Sequence, residues 1–307
     1  MSSLIHKSGT PDGRPPEAVV GVAPVRRRRP RRLHPLLRNR LSQLGLAIVG
    51  GLVLAAVLAP LLATHDPARV DLTQRLLPPS ARYWFGTDSA GQDIYSRVLH
   101  ATRLDLSLGL LVLVVATTTG SVLGLLAGYL GGRADGVIMR LTEIFLAFPG
   151  LILALALVAA VGSRSLFVVV VAIACRWWAP YARLVRAQVL AIRHAGYVEA
   201  ANALGLSNAR VLARHIAPNC LSPVIVQATL DLGQIILTAA ALSFIGLGAQ
   251  PGQPEWGRMV ADGREYLRTN WWVVTFPGAA IFVAVLGFNL LGDTLRDYFD
   301  PRLRQTL

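Results

Sequence analysis

The chain has 307 residues, 53% of them hydrophobic and only 15% charged, where an average soluble domain is about 25% charged. Mean hydropathy is +0.50, although the first forty residues are polar and basic. This excludes a soluble globular protein, and it excludes disorder for most of the chain, since disorder needs low hydrophobicity; it points to an all-α polytopic membrane protein.

Residues 1–40 are rich in Pro, Gly and Arg and carry Arg26, Arg27, Arg28, Arg29, Arg31, Arg32, Arg38 and Arg40. Disorder is expected up to about residue 33. The Arg26–Arg32 cluster should help fix topology and attract anionic membrane lipid weakly, at about 1 kcal/mol per basic residue. The net charge of +13 does not imply nucleic acid, because the tail has no base-stacking aromatics. Leu44 to Ala63 is a run of twenty uncharged residues, long enough at about 1.5 Å per residue to cross a core of about 30 Å. It is too long for the apolar part of a signal peptide and reads as a span that stays attached.

Five more spans follow, at about 106–132, 137–163, 165–182, 221–248 and 271–292. Spans three and four form a tight hairpin near Gly162–Arg164, favoured over a re-entrant pair. With both termini inside, 21 of the 30 basic residues fall on inner segments and nine on outer ones. The positive-inside rule therefore favours N-in and C-in. Two long loops stand out, an outer one at 65–105 and an inner one at 183–219.

The inner loop holds Tyr197–Leu204, an Ala-rich helix-forming run, with Glu199 in its first turn where the macrodipole favours an anion. Gly205 suits the left-handed position after a helix, and Ser207 suits the N-cap of a second helix from Asn208 to about His215, ended by Pro218 and Asn219. Ala200, Ala201 and Ala203 leave little bulk, so a partner surface can approach. A plain linking helix-turn-helix fits the physics equally well.

Glu199-Ala200-Ala201, then Gly205, then Pro218 resembles the EAA loop of bacterial ABC importer permeases. Other stretches resemble the C-type permease subunit of the dipeptide, oligopeptide and nickel importers: Trp84-Phe85-Gly86-Thr87-Asp88 with Gly91, Asp93, Ser96 and Arg97; Met139-Arg140 with Ala147-Phe148-Pro149; Leu242–Gly248; Trp256-Gly257; and Phe288–Asp293 with Asp300-Pro301-Arg302. Gln92 stands where Arg is usual, Ala217 where Leu is usual, and no acidic residue precedes Leu242. The match covers about residues 40–304.

The resemblance implies a type I ABC importer permease fold in the bacterial cytoplasmic (inner) membrane and uptake of di- or oligopeptides, with nickel, haem or glutathione as alternative substrates. It implies half of a pore, a homologous second permease, two ABC ATPase subunits (or one fused) and an extracytoplasmic binding protein. The ATPase would dock through Glu199, Ala200, Ala201, Gly205, Ser207 and Pro218. Trp84, Phe85, Gly86, Thr87, Asp88, Asp93 and Arg97 are candidates for outer contact with the binding protein or sister permease. Asp231, an acid inside span five, is a candidate for the path or for pairing with an Arg across the interface. Arg140 and Glu143 are further pore or interface candidates; they share one helix face and can pair near the inner interface.

No GxxxxGK[ST], HExxH or GxSxG motif occurs, so neither ATP binding by a phosphate loop nor catalysis is expected of this chain, and ATP and Mg would sit on the partner ATPases. Cys175 and Cys220 lie far apart, giving no metal site or disulfide framework. The alternative function is a stand-alone secondary transporter or channel, which would carry inverted repeats and charged midplane sites; no repeat is evident.

Overall fold

The computed structural model describes residues 39–162 and 165–299. The basic tail with its Arg26–Arg32 cluster, Arg164 and the run Asp300-Pro301-Arg302 lie outside the described residues. Those described form helices, joined by turns, with one isolated bridge between Thr87 and Asp93 and no strand.

Helix α1 (Arg40–Leu62) starts where the Asn39 side chain accepts the Leu41 N–H at 3.0 Å. Apolar side chains on most of its faces are exposed, among them Leu54, Val57 and Leu61, as expected for a helix against lipid. Helix α2 (Ile94–Leu130) begins well before the expected residue 106. Its cap is Asp93, whose Oδ2 accepts the Ser96 N–H at 3.0 Å. The last part of the expected 65–105 loop is therefore helix, because a cap three residues before an amide is enough to start one.

The expected third span, 137–163, is two helices, α3 (Gly132–Ala147) and α4 (Gly150–Val161), bent by 93°. Phe148 is extended, with φ −90° and ψ 137°. The ring of Pro149 disfavours helical backbone at the residue before it, so the helix breaks there. Helix α5 (Leu166–Ile192) runs past the expected end at 182 and carries Arg183 and Arg186. Much of what reads as the start of the inner loop is this helix.

Helices α2 and α5 run in the same direction along a stripe of small residues. A Cβ at Gly120 would lie 2.2 Å from the Trp178 carbonyl oxygen, at Gly124 2.5 Å from that of Ala182, and at Gly128 2.7 Å from Val189 Cβ. Spacing of four places these glycines on one face, and their lack of side chains lets the backbones touch.

Two short helices follow, α6 (Gly196–Ala203) and α7 (Asn208–Val211). A π-helical turn, Leu212–Ile216, joins α7 to α8 (Ala217–Phe244) without a gap. Pro218 was expected to end a helix; here it sits in the first turn of one. A proline removes an intrahelical N–H and crowds the carbonyl one turn back, and the wider π turn makes room for it. Helices α9 (Trp256–Gly263) and α10 (Trp272–Phe299) complete the described chain.

Five single stretches (α1, α2, α5, α7–α8 and α10) are long and apolar enough to cross a membrane, and the bent pair makes up to six. The main core joins Val112, Leu113 and Ala116 of α2, Val158 of α4, Ile173 and Tyr181 of α5, and Ile235 of α8. Residues 63–93 and 245–271 gather at one end of the bundle, called here the loop-bearing end. The 193–216 hairpin lies at the other.

Candidate functional site

The hairpin is built on a glycine turn. The Leu204 N–H donates to Ala200 O at 3.0 Å, Gly205 N–H to Asn202 O at 2.9 Å, and Leu206 N–H to Ala201 O at 3.3 Å. Gly205 has φ +76°, and a Cβ there would meet nothing within 4 Å. Backbone conformation alone demands glycine at this point. Ser207 is extended at the N-cap of α7, as its residue type suggests, yet its side chain makes no capping bond.

One face of the hairpin is packed. Val198 and Ala201 are buried against Val185 and Val189 of α5 and against Val211, Ile216 and Cys220. Ala201, expected on the open face, is thus part of the hairpin's own core, because a helix of this length must bury one stripe to hold its place. Glu199, Ala200, Asn202 and Ala203 stay exposed, and Leu204 is 81% exposed. Two polar ties link the unit to the long helices: Tyr129 Oη donates to Asn208 Oδ1 at 3.1 Å, and Asn219 Nδ2 to Tyr197 Oη at 3.4 Å.

Within the spans, Asp231 finds its partners in the same chain. Tyr181 Oη donates to Oδ2 at 2.7 Å and Gln227 Nε2 to Oδ1 at 3.0 Å. Both carboxylate oxygens are satisfied, and no arginine among the described residues is bonded to them. Arg140 and Glu143 pair at 3.5 Å with side chains 80% and 58% exposed. A second ion pair escapes sequence reading: Arg186 of α5 binds both oxygens of Asp135 on α3, at 2.5 and 2.6 Å. Their separation of 51 positions leaves no local signal.

At the loop-bearing end, most residues expected to face a partner turn inward. Thr87 is fully buried; its hydroxyl donates to Gln74 O at 2.5 Å and accepts the Leu77 N–H at 2.8 Å. Phe85 stacks on Phe276 with centroids 4.0 Å apart. Gly86 and Gly91 both have φ +76°, and a Cβ at Gly91 would fall 1.8 Å from Asp71 O. Asp88 Oδ1 accepts the N–H groups of Ala90 and Gln92 at 2.8 and 3.0 Å. Burial pushes the Asp88 carboxyl up, and the Arg97 guanidinium 3.6 Å away opposes this. Asp93 Oδ2 also accepts the Ser96 hydroxyl at 2.6 Å.

Arg97 is 2% exposed and donates to Gln92 Oε1, with longer reaches of 3.4 and 3.5 Å to the carbonyls of Gly252 and Gln253. These groups hold the loop in shape, since buried polar atoms must find partners where water cannot reach. Trp84, 53% exposed, is the large side chain of the segment left facing outward.

The described residues hold no cluster of His, Cys, Asp and Glu able to bind a metal. The geometry describes a helical membrane body with an exposed hairpin at one end and a tightly bonded loop cluster at the other.

Comparison with known proteins accounts for this layout. Residues 120–305 match the family model "Binding-protein-dependent transport system inner membrane component", and residues 31–79 match "N-terminal TM domain of oligopeptide transport permease C". The chain is 51% identical over 251 residues to a probable D,D-dipeptide transport system permease protein of Escherichia coli K12, covering 82% of this chain and 84% of that one. It is 43% identical over 295 residues to a dipeptide transport system permease protein of Alkalihalophilus pseudofirmus, covering 96% and 95%. It is also 41% identical over 261 residues to the nickel transport system permease protein of E. coli K12, covering 85% and 94%. With the family model spanning more than half of its length, the chain belongs to the inner membrane components of binding-protein-dependent transport systems, as a multi-pass permease of the cytoplasmic membrane.

Proposed function

We propose that this chain is one of two permease subunits of an ATP-driven importer of di- or oligopeptides, forming half of the translocation pore. Its partners are a homologous second permease, two ABC ATPase subunits and an extracytoplasmic binding protein. The observation that carries the coupling role is the hairpin 196–216. It is anchored on one face, exposed on the other, and held in register by a glycine turn that packs against nothing. On this reading the hairpin lies inside and the loop-bearing end outside. The names of the dipeptide permeases support the peptide substrate, while nickel and glutathione permeases are also relatives.

The mechanism follows from rigid attachment. ATP draws the ATPase subunits together, the hairpins follow, and the two permease halves rock from inward-open to outward-open. The α2–α5 glycine stripe makes each half move as one body, since close-packed backbones transmit displacement. Hydrolysis releases the ATPases and resets the pore. Asp231, held by Tyr181 and Gln227, stands as a candidate lining group of the path.

The test is affinity purification of the tagged chain from its native membranes in mild detergent, with mass spectrometry of the co-purifying proteins. Recovery of a second permease and ABC ATPases is expected. Recovery of the chain alone, still folded, would sink the importer reading and favour a stand-alone transporter.

A further inference from the structure

Near the middle of α5 stands a cation that the transport reading does not use. Arg176 lies roughly 15 Å from the start of the helix and roughly 24 Å from its end at the α-helical rise, inside a stretch that is apolar enough to cross a membrane. Its Nε is buried and bonds nothing, and among the described residues no carboxylate comes within ion-pair distance of it. Asp231, the acid whose charge reaches it, has both oxygens engaged by Tyr181 and Gln227. Trp177 lies beside the guanidinium, with Cζ 5.9 Å from the ring centroid. Such a contact uses the face of the cation and none of its N–H groups.

Arg176 stands against the break in the neighbouring span. A Cβ at Gly150, the first residue of α4, would lie 3.6 Å from Arg176 Cγ and 3.8 Å from its Nε. The N-cap there is Pro149, whose side chain caps nothing, so the first N–H groups of α4 have no partner in their own helix. Within a bilayer, uncapped backbone occurs where protein covers it or where it lines a water-filled path. An arginine in a span likewise faces a partner charge or such a path. This chain leaves the break uncovered: Phe148, Leu151 and Ile152 around it are exposed. Guanidinium and helix start thus sit side by side, and both favour a negative charge between them.

We propose that Arg176 is a solute-binding residue: it faces the translocation path and takes the carboxylate of the passing peptide. The solute's identity rests on the importer reading; the site rests on the geometry just described. A carboxylate entering a narrow path through the bilayer loses hydration, which is costly unless fixed donors replace it. Nε and one Nη of a guanidinium form a planar fork that matches the two oxygens of a carboxylate. The start of α4 adds a favourable partial charge on the same side. The opposing charge of Asp231 keeps the attraction moderate, as a transport site requires if the solute is to leave again.

The test uses the whole assembly in lipid nanodiscs, with Cys175 and Cys220 replaced by alanine and a probe thiol at Gly150→Cys, where a side chain meets ordinary contact distances. Ile152→Cys, at a residue 59% exposed, is the second probe should the first disturb assembly. Labelling by an anionic methanethiosulfonate is compared with labelling by a cationic one, each referred to its rate on a free thiol. Arg176 should favour the anionic reagent by about tenfold. Arg176→Gln should abolish that preference, and Arg176→Lys should keep most of it. Removing an unpaired charge from a span does not cost stability, so Arg176→Gln should still assemble. Excess dipeptide should slow labelling when Arg176 is present, and the same dipeptide as its C-terminal amide should not. Uptake of labelled dipeptide is read separately, and Arg176→Gln should lower it while the ATPase still turns over. A wild-type assembly that takes up no dipeptide would sink the importer reading, while the thiol rates would still decide the site. Equal charge preference with and without Arg176, equal protection by acid and amide, or no labelling by either reagent because lipid or the sister permease seals the group, would overturn the proposal.

Discussion

The two ends of the bundle are built on opposite plans. At the loop-bearing end Thr87, Gln92, Asp93, Ser96, Arg97 and Glu255 are buried, and nearly every turn is closed by a side-chain bond. At the hairpin end one apolar stripe holds α6 and α7 down, while Glu199, Ala200, Ala203 and Leu204 face outward unbonded to neighbouring helices. A region with many buried polar bonds opens rarely, and one held by a single stripe can be shifted by a partner at low cost. The contrast teaches that the first end keeps a shape and that the second is free to be displaced by a partner, as the proposed coupling role requires.

The sharpest way to break this contrast is to add a side chain at each end's left-handed glycine. Gly91→Val should cost more than about 3 kcal/mol, combining a collision with Asp71 O and a left-handed β-branched residue; loss of monodisperse protein by size exclusion would register it. Thr87→Val should cost about 1–3 kcal/mol, leaving the buried Leu77 N–H and Gln74 O unpaired, read as a lowered melting temperature. Gly205→Val should cost about 1–2 kcal/mol at most globally, since open space surrounds it. It should nonetheless abolish labelled-dipeptide uptake while the ATPase still turns over. Normal uptake in that variant would show that the turn geometry is irrelevant to coupling. Arg140→Ala should change the melting temperature least, at below about 0.5 kcal/mol, because the pair it breaks is exposed.

How far these features were legible in the sequence follows from their range. Uncharged runs announced α1, and Gly205 announced its turn, because both depend on neighbours within a few positions. Asp93 was recognised as part of a motif but not as a cap, though Asp three residues before Ser96 is a readable helix start. Pro149 is a readable helix breaker, but nothing local to it sets the bend of 93°. Pro218 misled, because its local meaning as a terminator was overridden by a π turn. The Asp135–Arg186 pair and the bond from the Trp256 N–H to Asp105 join residues far apart in the chain, and Gly120, Gly124 and Gly128 acquire their purpose only beside α5. Such pairings are set by tertiary packing and carry no local period to read.

The central claim is that the hairpin, and not the loop-bearing end, receives the ATPase. It is tested most directly by cysteine crosslinking in membranes containing the whole assembly, with Cys175 and Cys220 replaced by alanine. A single cysteine at Leu204→Cys should crosslink to an ABC ATPase subunit, and one at Trp84→Cys should not. Both side chains are more than half exposed, at 81% and 53%, so accessibility does not decide the outcome. Absence of an ATPase adduct at Leu204→Cys, or an equal yield at Trp84→Cys, would contradict the account.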